Sequence, residues 1–158
     1  MGLLLDVNRT YTDVVTSVFS STIAMKAWFA TAAIVLVVVQ VSTATRMWGR
    51  LEGVIRLPFP VVKSIHRWSG RIAFLCTLPV FFHCVFILGF QTPNARVAAH
   101  SVAGSFVYGV FAAKMLIIRK KGYPHWVLPV AGGTVAVLLV TLWFTSAYWY
   151  FTNIRFGF

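Results

Sequence analysis

Four long runs of apolar residues constrain this chain more than any motif in it. They fall at about residues 25–45, 62–90, 95–118 and 125–151. A helix of about 20 apolar residues crosses a hydrocarbon core of ~30 Å. In lipid the backbone must satisfy its own polar groups, so runs of this length predict helices rather than open strands. The expected fold is all-α, a four-helix transmembrane bundle. It forms one domain, residues 23–158, behind an N-terminal extracytoplasmic or interfacial segment, residues 1–22. Composition points the same way. The chain is 59% hydrophobic and 11% charged, with a mean hydropathy of +0.81, whereas soluble domains run at about half apolar and about a quarter charged. The expected location is a lipid membrane, the plasma membrane, crossed several times.

Punctuation between the runs fits short connections. Arg46 to Lys63 is broken by Pro58 and Pro60, Gln91-Thr92-Pro93-Asn94 is a tight turn by its residue types, and Arg119 to Pro124 carries Gly122 and Pro124. Gly132-Gly133 in the fourth run allows close helix approach. The first residues lack the basic start of a cleavable signal. Instead Leu4, Leu5, Val14, Val15, Val18 and Phe19 form a weakly amphipathic stretch, read as a short interfacial helix.

Four spans put both termini on one side. Arg9, Lys26, Arg96 and Arg155 belong to that side; Arg46, Arg50, Arg56, Lys63, Arg67, Arg71, Arg119, Lys120 and Lys121 belong to the other. Nine against four orients both termini outward by the positive-inside rule. The net charge of +11 is thereby explained by topology, and nucleic acid is not an expected partner. Cys76 and Cys84 lie eight apart in one run, project from different faces and cannot bridge each other. The acidic residues Asp6, Asp13 and Glu52 all lie outside the spans, which argues against carboxylate hydrolysis or a carboxylate proton relay.

The stretch from Ser64 to Arg119 holds His66, His83, His100 and Lys114 among apolar residues. Ionisable side chains at membrane depth are costly and mark function. Counting at 1.5 Å per residue, His83 and His100 come to similar depth on adjacent antiparallel helices. Facing imidazoles of this kind are the usual ligands of a six-coordinate haem b iron. His66 and His125 fall together near the other face, which offers a second haem above the first, with Arg67, Arg71 and Lys114 available for propionates or a quinone carbonyl. A straight helix leaves His66 and His83 about 100° apart, which Pro79 between them would partly relieve by a kink. The bland alternatives are hydrogen bonding between helices for His83 and His100, and headgroup contact beside Trp68 and Trp126 for His66 and His125. On the third span His100, Gly104, Val107, Phe111, Lys114 and Ile118 share one face, and Gly104 leaves room for a flat macrocycle.

The segment HRWSGRIAF, His66 to Phe74, resembles the HRxxGR opening of a haem-bearing helix in the ferric reductase-like transmembrane family. That family places its second histidine about fourteen positions on, where this chain has Val80. The same segment is similar to the S-x-x-H-R-x-S-G stretch in the cytochrome b anchor of succinate dehydrogenase, with Ser64 one residue closer. Through HRWSGR, FFH, AAHSVAG, YGVFAAK and WVLPVAGG the chain most resembles small actinobacterial four-helix membrane proteins similar to diheme b-type cytochromes. The first resemblance implies bis-histidine haem and transmembrane electron flow through positions like His66 and His83. The second implies that Ser64, Arg67 and Ser69 touch quinone, leaving one haem at His83 and His100.

The expected function is an electron-transfer oxidoreductase or a subunit of one: a b-type cytochrome with one or two haems, its iron held by His83, His100, His66 and His125. It would work between a quinol or cytoplasmic donor and an extracytoplasmic redox partner protein, as a homodimer or part of a larger redox complex. The alternatives are a single-haem anchor with an inner quinone site and a cofactor-free structural anchor. No nucleotide-binding signature is present, and there is no inverted repeat of the transporter kind.

Overall fold

The computed structural model describes residues 2–120 and 122–153, with side chains from Arg9 onward. Lys121, the tail from Ile154 with Arg155, and the side chains of Leu4 and Leu5 lie outside the described residues. Five helices follow one another: α1 (Gly2–Thr16), α2 (Thr22–Met47), α3 (Phe59–Leu88), α4 (Ala95–Arg119) and α5 (Val127–Asn153). The last four are long and apolar enough to cross a membrane. Side chains such as Val38, Phe86, Leu116 and Val137, each more than 60% exposed, form the apolar belt that lipid would cover.

Local chemistry sets the boundaries. Ser21 caps α2 by accepting from the Ala24 N–H at 3.0 Å, and Asn94 caps α4 by accepting from Val97 N–H at 3.0 Å. Pro60 stands in the first turn of α3, where its missing N–H costs no helical bond. At the end of α2, Arg46 donates to the Ile55 carbonyl at 2.9 Å and pairs with Glu52 at 2.8 Å, folding the loop back on itself. Pro79 lies inside α3, and one turn later the helix widens into a π-helical turn, His83–Leu88. A second π-helical turn, Phe144–Tyr148, interrupts α5. Such turns recur at functional sites.

The packing is uneven. α2 lies closely against α3, α4 against α5, and α2 also meets α5, while the backbones of α3 and α4 stay largely apart. Small residues explain the α2–α5 contact near the termini, where Ala24, Ala27, Ala147 and Tyr150 form a buried cluster. Trp143 Nε1 donates to Thr31 Oγ1 at 3.1 Å beside it. Aromatic rings bridge the wider α3–α4 gap. Phe74 stacks on Phe111 with centroids 4.9 Å apart, and Tyr108 meets Phe81 at 4.5 Å while its hydroxyl donates to the Thr77 carbonyl at 3.1 Å.

The α2–α3 seam is fixed by Gln40. Its amide nitrogen donates to the His66 carbonyl and, at 2.7 Å, to Ser69 Oγ. A Cβ on Gly70 would come within 3.1 Å of Gln40 Oε1, so a larger residue would push on the amide that the two hydrogen bonds hold in place. Gly70→Ala is therefore expected to destabilise the protein by about 1–3 kcal/mol through overpacking. Gly109→Ala, where nothing lies within 4 Å, is expected not to. Thermal unfolding of both variants in detergent checks this.

Candidate functional site: a central cavity faced by histidines

The gap between α3 and α4 opens into a cavity of about 1290 Å³ lined by all four long helices. Pockets for a single small ligand run at about 300–1,000 Å³. His66, His100 and His125 line it, as do Gly104 and Lys114. The whole α4 face expected from the sequence, His100, Gly104, Val107, Phe111, Lys114 and Ile118, is on its wall.

His66 and His100 are held in the same way by hydroxyls of neighbouring helices. Thr43 Oγ1 of α2 lies 2.9 Å from His66 Nδ1, and Thr145 Oγ1 of α5 lies 3.0 Å from His100 Nδ1. A hydroxyl has one proton to give. Thr43 gives its proton to the Val39 carbonyl at 2.6 Å, and Thr145 gives its own to the Thr141 carbonyl at 2.6 Å. Each threonine oxygen must then accept from the imidazole, so Nδ1 carries the proton and Nε2 keeps its lone pair. Metal-binding histidines are oriented in this manner, with the remote nitrogen donating to a second residue. The tautomers follow from the network of donors and acceptors.

His83 is placed differently. It is 3% exposed and does not line the cavity. Its Nδ1 lies 3.2 Å from the hydroxyl of Tyr11, on α1, and its Nε2 is buried with no hydrogen-bond partner. Tyr11 also packs on Phe82 at 5.3 Å, and burial pushes its phenol above the ordinary value, keeping it neutral. The π-helical turn begins at His83 itself. His125 is exposed in the turn before α5 rather than inside the span. Arg67 and Arg71 are exposed and do not line the cavity; the Arg71 guanidinium lies over the Trp68 ring at 4.8 Å. Ser64 is exposed, while the Ser69 hydroxyl is engaged by Gln40 and the Ile65 carbonyl.

Sequence reasoning missed Thr43, Thr145, Lys26 and Arg96. The first two are hydroxyls inside apolar runs, a weak signal without helix pairing. Lys26 was counted with the topological charges although it lies five residues into α2. Arg96 donates from Nη1 to the Thr145 carbonyl at 2.5 Å and covers the Trp149 ring at 4.2 Å.

Among the described residues no three His, Cys, Asp or Glu side chains gather into a chelating cluster. A porphyrin brings four donors of its own and asks the protein for one or two axial imidazoles. Free Nε2 atoms on a roomy apolar wall fit that demand. Both cysteines are free thiols.

These features define a multi-pass, all-helical membrane protein with an imidazole-faced central cavity. The chain belongs to a family described only as a family of unknown function (DUF6529), whose profile matches residues 6–158. No curated protein and no solved structure matches the chain.

Nitrogen NMR of histidine-labelled protein in lipid is expected to show protonated Nδ1 at His66 and His100. Thr43→Val and Thr145→Val should each abolish that preference and cost about 1–3 kcal/mol of stability by leaving an N–H unpaired, and Thr→Ser should restore both.

Proposed function

We propose that this chain is a b-type cytochrome of the plasma membrane that carries electrons through haem held in the central cavity. The observation that carries the reading is the pair of threonine-pinned histidines whose Nε2 lone pairs are left free on the cavity wall. Bound haem would supply one-electron exchange between ferrous and ferric iron. The chain's own contribution is to hold two imidazoles in the ligating tautomer, to surround them with apolar and aromatic walls, and to place positive charge beside them.

His66 stands near the loop end of α3 and His100 near the opposite end of the bundle, 14 residues before Lys114 on α4. At 1.5 Å per residue that separation is about 20 Å, too far for one iron. The two histidines therefore serve two haems, one towards each face. His125, on the cavity wall at the loop end, is the second ligand available to the inner haem. The excess of basic residues at the loop end puts that end in the cytoplasm and the termini outside. Electrons would pass between a quinol or cytoplasmic donor and an extracytoplasmic acceptor.

Reduced-minus-oxidised spectra of the detergent-purified protein, with haem counted per chain, test this. Two b-type haems are expected. His66→Ala and His100→Ala should each lose one, and His125→Ala should alter the inner one. His83→Ala should keep both, because its Nε2 does not reach the cavity. Loss of haem in His83→Ala would instead put His83 opposite His100. A protein that stays colourless when supplied with haem would sink the cytochrome reading and leave a structural anchor.

A further inference from the structure

The cavity wall is electrically one-sided. Lys26, Arg50, Arg96 and Lys114 line it, and no carboxylate among the described residues does. Arg96 is committed to the Thr145 carbonyl and the Trp149 ring. Arg50 is exposed in the loop after α2. Lys26 and Lys114 remain. Both are half-buried, and neither has a hydrogen-bond or ion-pair partner among the described residues.

Each lysine stands at the depth of one cavity histidine. Lys26 is the fifth residue of α2 and His100 the sixth of α4, both counted from the end that carries the termini. Lys114 is the sixth residue from the far end of α4, and His66 the eighth of α3, both at the loop end. Lys114 is within electrostatic reach of His66, and Lys26 is within reach of His100 and also of His83. The Lys114 stem lies along α5, where Gly132 leaves it space: a Cβ there would be 3.9 Å from Lys114 Cε. An ammonium at membrane depth is costly unless an anion meets it, and no carboxylate among the described residues lines this cavity.

We propose that Lys26 and Lys114 are the counter-ions for carboxylates of the cavity's occupants. Thr145–His100–Lys26 and Thr43–His66–Lys114 are then two copies of one site, each assembled from three helices. Each takes a flat ligand at the free Nε2 and its carboxylate at the ammonium. The inference rests on the haem reading, in which the carboxylates are the two propionates.

Haem loss from the purified holoprotein to excess apomyoglobin tests it. Lys26→Met and Lys114→Met should each speed the loss of one haem by about tenfold or more, the scale of one charge-assisted hydrogen bond. Their visible spectra should stay unchanged, since ligation is intact, and Lys→Arg should restore the slow rate. Lys26→Gln and Lys114→Gln, which keep a polar head, serve if a Met variant folds poorly and should lose haem equally fast. Wild-type loss rates in a coloured, folded Met or Gln variant would overturn the counter-ion assignment and leave the cytochrome reading standing. A colourless protein would overturn both.

Discussion

Much of the architecture depends on a hydrogen bond between a threonine hydroxyl and an imidazole, made twice. In each case the threonine spends its proton on its own helix, which turns its oxygen into an acceptor aimed at the neighbouring helix. The two bonds tie α2 to α3 and α4 to α5, the same pairs whose backbones pack most closely. They also decide which imidazole nitrogen is left for chemistry. In lipid an unpaired N–H is expensive, so the bond that holds the helices together is also the one that fixes the tautomer. Fold and site are here consequences of the same contact.

The space between α3 and α4 follows from the rest. With both hairpins closed by polar bonds and α2 docked to α5 through alanines, the ring can open only on its remaining side. Phe74, Phe81, Tyr108 and Phe111 span that side with rings. Apolar walls of this kind exclude water and lower the local dielectric, which strengthens any charge interaction across the cavity. Gln40 shows the opposite tactic on the tight side, where a glycine at position 70 admits an amide between two backbones.

Much of this was legible in the sequence, because lipid leaves a chain few choices. The spans at 25–45, 62–90, 95–118 and 125–151 differ from the helices mainly by a few residues at their ends. The α4 face was legible because a six-residue pattern at three-and-four spacing is arithmetic on one helix. What was not legible required knowing which helices pair. Thr43 and Thr145 acquire meaning only when α2 meets α3 and α5 meets α4, and periodicity says nothing of that. Arg67 and Arg71 illustrate the converse. Their proximity to His66 in sequence suggested a shared site, yet one residue along a helix turns a side chain by about 100°, and both emerge at the surface.

His83 is where depth and direction come apart. It has the depth expected of a partner for His100, and on a straight helix the same rotation that puts His66 on the cavity wall turns His83 away from it. Its imidazole meets α1, and Tyr11 supplies the hydroxyl that threonines supply elsewhere. Among the described residues the phenol has no other acceptor, so it gives its proton to His83 Nδ1 and the ring's own N–H falls on Nε2, the reverse of the threonine arrangement. The surroundings of the rings differ too. His66 and His100 line the cavity, whereas His83 Nε2 is buried and has no hydrogen-bond partner. A buried ring N–H without a partner is a cost that α1 imposes by covering it. Among the described residues α1 thus meets His83 through the Tyr11 phenol, and that contact sets this histidine apart from the two that line the cavity.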